Sequence, residues 1–585
     1  MKRFICLTLL LSAGLVGGSL AAERPNIVLM MSDDQGYGDF GATGNPVIET
    51  PHIDRMARES VSMRTFYVSP VCSPTRANLM TGRYNYRTRV IDTYLGRSMM
   101  DPEEVTIAEV LHGAGYATGI FGKWHLGDCY PMRPIDQGFE QALVHRGGGL
   151  AQPSEPLENQ NRYTDPILFR NGEKVRTKGY CTDVYFDAAI EFIEQARRNQ
   201  RSFFVYLPTN APHDPFHDVP EDLRRHYMTK TDQLAELLIG RLPEKRQAEQ
   251  VDRLARIAAM ITNIDRNVGR LLAKLDALGL AENTIVLYLV DNGPAGRRYV
   301  GPFRGSKSDV HEGGIRSPLW IRWPAKLTPE MSRDEAVAHI DVMPTLLDAC
   351  GVRPPDGPKL DGRSFLPLLL DSGATWPERP IVIQSHRGDE PMRYHHFMVR
   401  QGPWKLLNAS GFGRETLVGE PKFELYNVVD DAGETRNLID DEPQIAARLK
   451  AAYDAWFDNV SSTRPDNYAP PRIPVGTPHE NPTVLTRQDW RGGTWARDSI
   501  GHWKLRVATA GKYDIRLVSE AADTAETAEL TIRGNTKVAD VPGGSTAYTF
   551  EDVELTAGDA ELEAALCRQG KRRGVYQVEV LRDDR

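Results

Sequence analysis

The sequence predicts an α/β protein, a large sheet covered by helices on both faces, that carries an all-β sandwich at its C-terminal end. Two observations set the first part: apolar runs that stop abruptly at acidic residues, and helix-then-strand units that repeat along the chain. A compositional break near Arg464 sets off the second.

Met1-Lys2-Arg3 is a basic start, Phe4 to Val16 is apolar, and Ser19-Leu20-Ala21 is a small-x-small cleavage site. Residues 1–21 therefore read as a secretory leader, and the expected location is the periplasm or the medium. The apolar run is shorter than the ~20 residues of a membrane span and no later stretch approaches that length, so no integral membrane segment is expected. The 585 residues exceed what one core can organise, and three or four units of ~150 residues are expected. Lys+Arg 71 against Asp+Glu 79 leaves a formal charge of -8, which excludes the global basic field of a nucleic-acid binder. Cys72, Cys129, Cys181, Cys350 and Cys567 show no CxxC or knot-like spacing, so neither a disulfide framework nor a zinc knuckle is indicated.

Asn26 to Met31 is a short apolar run that ends in Ser32-Asp33-Asp34. Thr284 to Val290 repeats the form and stops at Asp291-Asn292-Gly293. Both read as buried parallel strands delivering polar side chains at their carboxyl ends, where ligands gather in α/β sheets. Leu254, Ile257, Ile261, Ile264, Val268, Leu271 and Leu275 recur at helical spacing just before the second strand. Ile107–Leu111 before Ala117–Phe121, and Val184–Ile193 before Phe203–Leu207, repeat that helix-then-strand unit. Residues 464–482 hold six prolines and few apolar residues, the composition of a semi-rigid linker. Beyond it, His502–Val507, Lys512–Leu517 and Gly574–Val580 alternate polar and apolar residues, which predicts a sandwich over 483–585.

Several segments carry chemistry. Cys72-Ser73-Pro74-Thr75-Arg76 continues through Leu79 to Thr81-Gly82-Arg83, with Ser73 and Pro74 placed to start a helix whose positive end faces Cys72. Gly36-x-Gly38-x-x-Gly41 formally matches a dinucleotide fingerprint, but Asp33, Asp34 and Asp39 would repel a pyrophosphate and no helical run follows Gly41. Asp33, Asp34, Asp291 and Asn292 place three carboxylates and an amide at the two strand ends. Gly122-Lys123-Trp124-His125-Leu126-Gly127, Pro212-His213-Asp214-Pro215, and Lys307 followed by Glu312-Gly313-Gly314 complete the constellation.

Together these segments resemble the formylglycine-dependent sulfatases, type I and arylsulfatase-like, within the alkaline-phosphatase-like superfamily, over most of Pro25 to Leu438. The resemblance implies a large mixed sheet over 24–375, a smaller C-terminal antiparallel-sheet subdomain over 376–463, and hydrolysis of sulfate monoesters. It implies that Cys72 is oxidised to formylglycine by a maturation enzyme, with Cys72, Arg76, His125 and His213 as the catalytic set. Lys123 and Lys307 would hold sulfate, and Asp33, Asp34, Asp291, Asn292 and residue 72 would hold Ca2+, with Mg2+ as the alternative. His125 would drop the second proton of the formylglycine hydrate, and His213 would protonate the leaving oxygen. Matches at Ala338–Leu346, Leu360–Ser364 and Trp404–Leu406 look architectural. A sulfated carbohydrate is the expected substrate, by analogy with extracellular glycan degradation. His145 and Arg146 are candidate pocket residues, beside a basic cluster of His386, Arg387, Arg393, His395 and His396. Trp490, Trp495 and Trp503 are read either as a sugar platform or as sandwich core. Oligomeric state is not readable from the sequence.

Overall fold

The computed structural model describes residues 24–583 apart from 241–242, 355, 372, 386, 389, 414–415 and 464–468. The leader assigned to 1–21, His386 and the start of the Pro-rich stretch lie outside the described residues. Among those described, no helix is long and apolar enough to cross a membrane.

The main sheet is mixed and has ten strands. At its centre Thr284–Val290, Asn26–Ser32, Phe203–Pro208, Ala117–Lys123 and Gln141–His145 run parallel in that spatial order. Antiparallel strands flank them on both sides. Why the central runs are apolar throughout is visible in one strand. Ile27, Leu29 and Met31 enter the core on one face, while Val28 and Met30 enter a second core on the other, so both faces are covered. The helices that cover them include Cys181–Arg198 and the 34-residue Glu244–Ala277, which carries the predicted Leu254–Leu275 stripe inward.

A four-stranded antiparallel sheet, Ile381–Gln384, Phe397–Gln401, Trp404–Asn408 and Glu424–Asn427, follows with helix Pro443–Ser461 against it. A buried ionic knot ties it to the main body. Lys405 Nζ lies 2.9 Å from both Glu312 and Glu434, and Glu312 also takes the Tyr67 hydroxyl at 2.9 Å and the Arg316 guanidinium. Thus the matches read as architectural at Lys405 do join two units.

The last unit is a sandwich. One sheet runs Ile473–Val475, His502–Val507, Gly558–Arg568, Glu526–Ile532 and Asn535–Val541; the other runs Thr483–Thr486, Gln577–Arg582, Gly511–Val518 and Ala547–Leu555. Two expectations change here. The Pro-rich stretch is not linker throughout, because Ile473-Pro474-Val475 pairs in parallel with Leu505–Val507 at the sheet edge, where proline's missing N–H costs no ladder bond. Nor does the sandwich hang free: Leu95, Met99, Cys129 and Met132 of the main body share its core. Trp490 and Trp503 are fully buried in that core, which removes them as a sugar platform; Trp495 is half-buried against Tyr94.

Candidate active site

Register assembles the site. Ser32 pairs with Val290, so Asp33 and Asp34 leave one strand beside Asp291 and Asn292 leaving the next. Lys123 ends the Ala117–Lys123 strand, and the chain after Phe203–Pro208 turns through His213. Every one of these groups sits at a carboxyl strand end. Cys72 opens the helix Cys72–Thr81 directly above them. That helix is pinned by its own side chains: Thr75 Oγ1 donates to the Asp291 carbonyl at 2.7 Å, and Arg76 reaches Asp291 Oδ2 at 2.8 Å and the Lys123 carbonyl at 2.6 Å.

Ligand atoms of Asp33, Cys72 and Asp291 lie within 4.8 Å of one another, as do those of Asp33, Asp34 and His213. Asp33 Oδ1 and Asn292 Oδ1 are buried and accept no hydrogen bond, an arrangement costly unless a cation takes those lone pairs. The oxygens of Asp33, Asp34, Asp291 and Asn292, with orphaned acceptors among them, fit a hard divalent ion. Asp34 is held in the left-handed region, φ 61°, and His125 likewise at 60°, strain of the kind that gathers at functional sites.

Cations surround the acids. Lys123 Nζ contacts Asp33 Oδ2, and Lys307 Nζ donates to Asp34 Oδ2 at 2.8 Å. Burial alone would raise the Asp34 carboxyl, but Lys307, His213 and Lys123 outweigh it and hold it well below the carboxylate range. Burial and the neighbouring Asp33 charge instead push Asp291 up to about 6, against Arg76 and Lys123. Lys307 keeps its proton firmly, because Asp34 and other anionic neighbours more than offset its burial. It is also the most solvent-facing of these groups, with 21% of its side chain exposed, and so marks the mouth.

The two histidines are poised oppositely. Burial, reinforced by Lys123 and Arg76, drives His125 well below its ordinary value and leaves it neutral. Its Nε2 lies 2.7 Å from the Thr93 carbonyl, which can only accept, so the lone pair resides on Nδ1, which has no hydrogen-bond partner. His213 is raised despite its burial, chiefly by Asp34, 3.6 Å away, and Asp214 Oδ1 lies 2.8 Å from its Nδ1. One is built to take a proton and the other to give one.

Of the predicted residues, Asp33, Asp34, Cys72, Arg76, Lys123, His125, His213, Asp291, Asn292 and Lys307 converge here. His145 and Arg146 lie largely inside the protein. His145 is 1% exposed with Nδ1 donating to the Arg146 carbonyl, and the Arg146 guanidinium lies 4.3 Å over the Phe169 ring. Both line a small pocket of about 30 Å³, room for one water. In the basic cluster, Arg393 pairs with Asp454 and Asp458, His395 and His396 are buried, and Arg387 stacks 4.2 Å over Tyr94. Asp39 stands outside the cage, bonded by Arg298, whose guanidinium braces the Asp34 carbonyl as well.

Sequence reading passed over the glycines that seat this site. A Cβ at Gly148 would sit 2.4 Å from the His125 ring, and one at Gly149 3.3 Å from His213. The run Gly147-Gly148-Gly149 was the available signal. It also passed over Thr93 and Gln488, which surround His125 from outside any motif.

Comparison with known proteins agrees with this geometry. The Sulfatase family model matches residues 25–352, and the model for N-sulphoglucosamine sulphohydrolase, C-terminal, matches 306–455. N-acetylgalactosamine-6-sulfatase of Canis lupus familiaris is 32% identical over 432 residues, covering 69% of this chain and 76% of that protein. Arylsulfatase A of Homo sapiens is 30% identical over 463 residues, covering 73% and 85%. Among solved structures, Ps i-CgsB in complex with k-i-k-neocarrahexaose superposes with TM-score 0.64 at 25% identity, covering 75% of this chain and 94% of that one. The putative sulfatase yidJ from Bacteroides fragilis gives 0.63 at 20% identity, covering 76% and 98%, a likeness of fold. With the matched region running from the first strand through the cation-lined strand ends described above, the chain belongs to the sulfatase family and is a sulfatase.

Proposed function

We propose that the protein hydrolyses sulfate monoesters of a sulfated carbohydrate, using a formylglycine made from Cys72 and a bound calcium ion. The observation that carries this is the site itself: a thiol at a helix start, within ligand distance of two carboxylates, between two lysines and beside two unpartnered oxygens. A sulfatase maturation enzyme is the implied partner, and periplasmic or secreted action follows from the leader. The carbohydrate assignment is supported by N-acetylgalactosamine-6-sulfatase among the relatives and a neocarrahexaose complex among the similar structures.

The aldehyde hydrate at position 72 would supply the oxygen that attacks sulfur. A divalent ion held by Asp33, Asp34, Asp291, Asn292 and residue 72 would screen the ester's negative charge, with magnesium the alternative occupant. The chain's own residues do the rest. Lys123 and Lys307 hold the sulfate oxygens as charge shifts in the transition state. Arg76 fixes Asp291 and the end of the Lys123 strand, which keeps both at constant distance from the helix start. His213 passes its proton to the departing alkoxide, with Lys307 beside it. His125 takes the remaining hydroxyl proton of residue 72 on Nδ1, which expels sulfate, and a water restores the hydrate. The sum is ester plus water giving alcohol plus sulfate.

Turnover of an aryl sulfate, an aryl phosphate and a sulfated oligosaccharide by the purified chain tests the reading. Sulfate release from the first and third, with far slower phosphate release, is expected. Preference for phosphate would overturn it.

A further inference from the structure

The sandwich lies beyond both family matches, which end at residues 352 and 455, yet one of its residues reaches the catalytic histidine. Gln488 follows the Thr483–Thr486 strand and is 1% exposed. Its Nε2 lies 2.8 Å from the Thr93 carbonyl, 3.1 Å from Ser98 Oγ and 3.2 Å from His125 Nε2. Thr93 O is the same atom that receives the His125 ring at 2.7 Å, so a single carbonyl takes one donor from each unit. A carbonyl has two lone pairs, and both are thereby used.

The contact is part of a clamp. Gly96 N donates to the Gln488 carbonyl at 2.9 Å, Arg491 Nη1 donates to the Leu95 carbonyl, and Trp495 meets Tyr94 edge-on at 5.3 Å. Residues 93–98 of the main body are thus gripped by residues 488–495 of the sandwich. His125 itself sits in the left-handed region, and its ring bonds the Thr93 carbonyl. Its aim depends on where the Thr93 carbonyl is held.

Resting on the sulfatase reading above, we propose that Gln488 is a positioning residue: through Thr93 it orients His125 so that Nδ1 faces residue 72, which makes the C-terminal sandwich a part of the active site. Gln488 touches no reacting atom. What it controls is the second half of the reaction, in which His125 removes the hydroxyl proton and the carbon–oxygen bond to sulfate breaks. The first half, attack on sulfur with proton delivery from His213, does not pass through it.

The test uses the full chain with Gln488→Met, which removes the donor, and Gln488→Glu, which keeps the shape and turns the donor into an acceptor. The exposed Val538→Ser, on the far sheet of the sandwich, is the control. With a small aryl sulfate, kcat should fall ~10- to 100-fold in both variants and KM should fall with it, leaving kcat/KM within about twofold, the usual scale for losing an orienting partner of the second step. With a radiolabelled sulfate ester, label should be retained on the variant protein during turnover, and not on wild type or Val538→Ser. Wild-type kcat in either folded variant overturns the proposal. So does a loss of kcat/KM with no retained label, which would mark Gln488 as packing alone. A wild-type chain that releases no sulfate would sink the sulfatase reading with it, whereas an active wild type beside unchanged variants sinks only the role of Gln488.

Discussion

The molecule buries two dense clusters of charge, and they are finished differently. At the strand ends, Asp33, Asp34 and Asp291 face Arg76, Lys123 and Lys307, yet Asp33 Oδ1, Asn292 Oδ1 and His125 Nδ1 are left without hydrogen bonds. Between the main body and the antiparallel subdomain, both Glu312 oxygens are engaged by Tyr67, Arg316 and Lys405, and Lys405 also pairs with Glu434. Burying charge is costly in both places. The second cluster offsets most of that cost with internal ion pairs, Glu434 Oε1 meeting Lys405 only as an ion pair at 2.9 Å, and serves as a joint. The first leaves part of it unmet, and its orphaned atoms lie where an ion and a substrate would complete them.

That contrast can be broken by substitution. Cys72→Ala should abolish turnover, by ~10⁴-fold or more, while the melting temperature stays near wild type, since the position contributes chemistry rather than packing. Full turnover in that variant would refute the mechanism. Exhaustive chelation should next reduce activity by at least ~10²-fold, with recovery on adding calcium, because three acids would then face the ester without a screening charge. Lys405→Met should act the other way. Leaving Glu312 and Glu434 buried with one partner fewer should cost about 3–5 kcal/mol of stability in denaturant melts, while kcat of the folded fraction changes little. If kcat fell with stability unchanged, the joint would belong to the site.

The smallest expected effect concerns pH. His311, beside the joint, is pushed up to about 9: burial opposes the shift, and a hydrogen bond to Asp309 and the Glu424 carboxylate 3.5 Å away drive it. A raised folded value means this stabilisation is complete below pH 6.5 and is lost as pH climbs through about 9. His311→Gln should therefore be less stable than wild type by up to about 3 kcal/mol at pH 6, with the gap closing by pH 9.5. A gap independent of pH would assign the effect to packing.

What could be read from sequence follows the same division. Cys72, Arg76, Lys123, His125, His213 and Lys307 were legible because each lies in a short segment that resembles a sulfatase motif. The acid-ended strands were legible because a two-sided sheet demands unbroken apolar runs. Gln488 was not, since nothing in Thr486-Arg487-Gln488-Asp489 distinguishes it and its role arises from a contact across 363 residues. The burial of His145 and Arg146 was not legible for a related reason. A basic pair before three glycines reads as a loop surface, whereas pairing of His145 with Lys123 in the sheet carries it inside. Proline counting likewise suggested a linker where an edge strand tolerates Pro474.

The central claim is that residue 72 acts as an aldehyde made from a thiol. Mass analysis of the peptide Thr65–Arg76 from active enzyme tests it most directly. The account predicts exchange of sulfur for oxygen with loss of two hydrogens, in a fraction that tracks specific activity across preparations. Fully active enzyme carrying only unmodified Cys72 would contradict it.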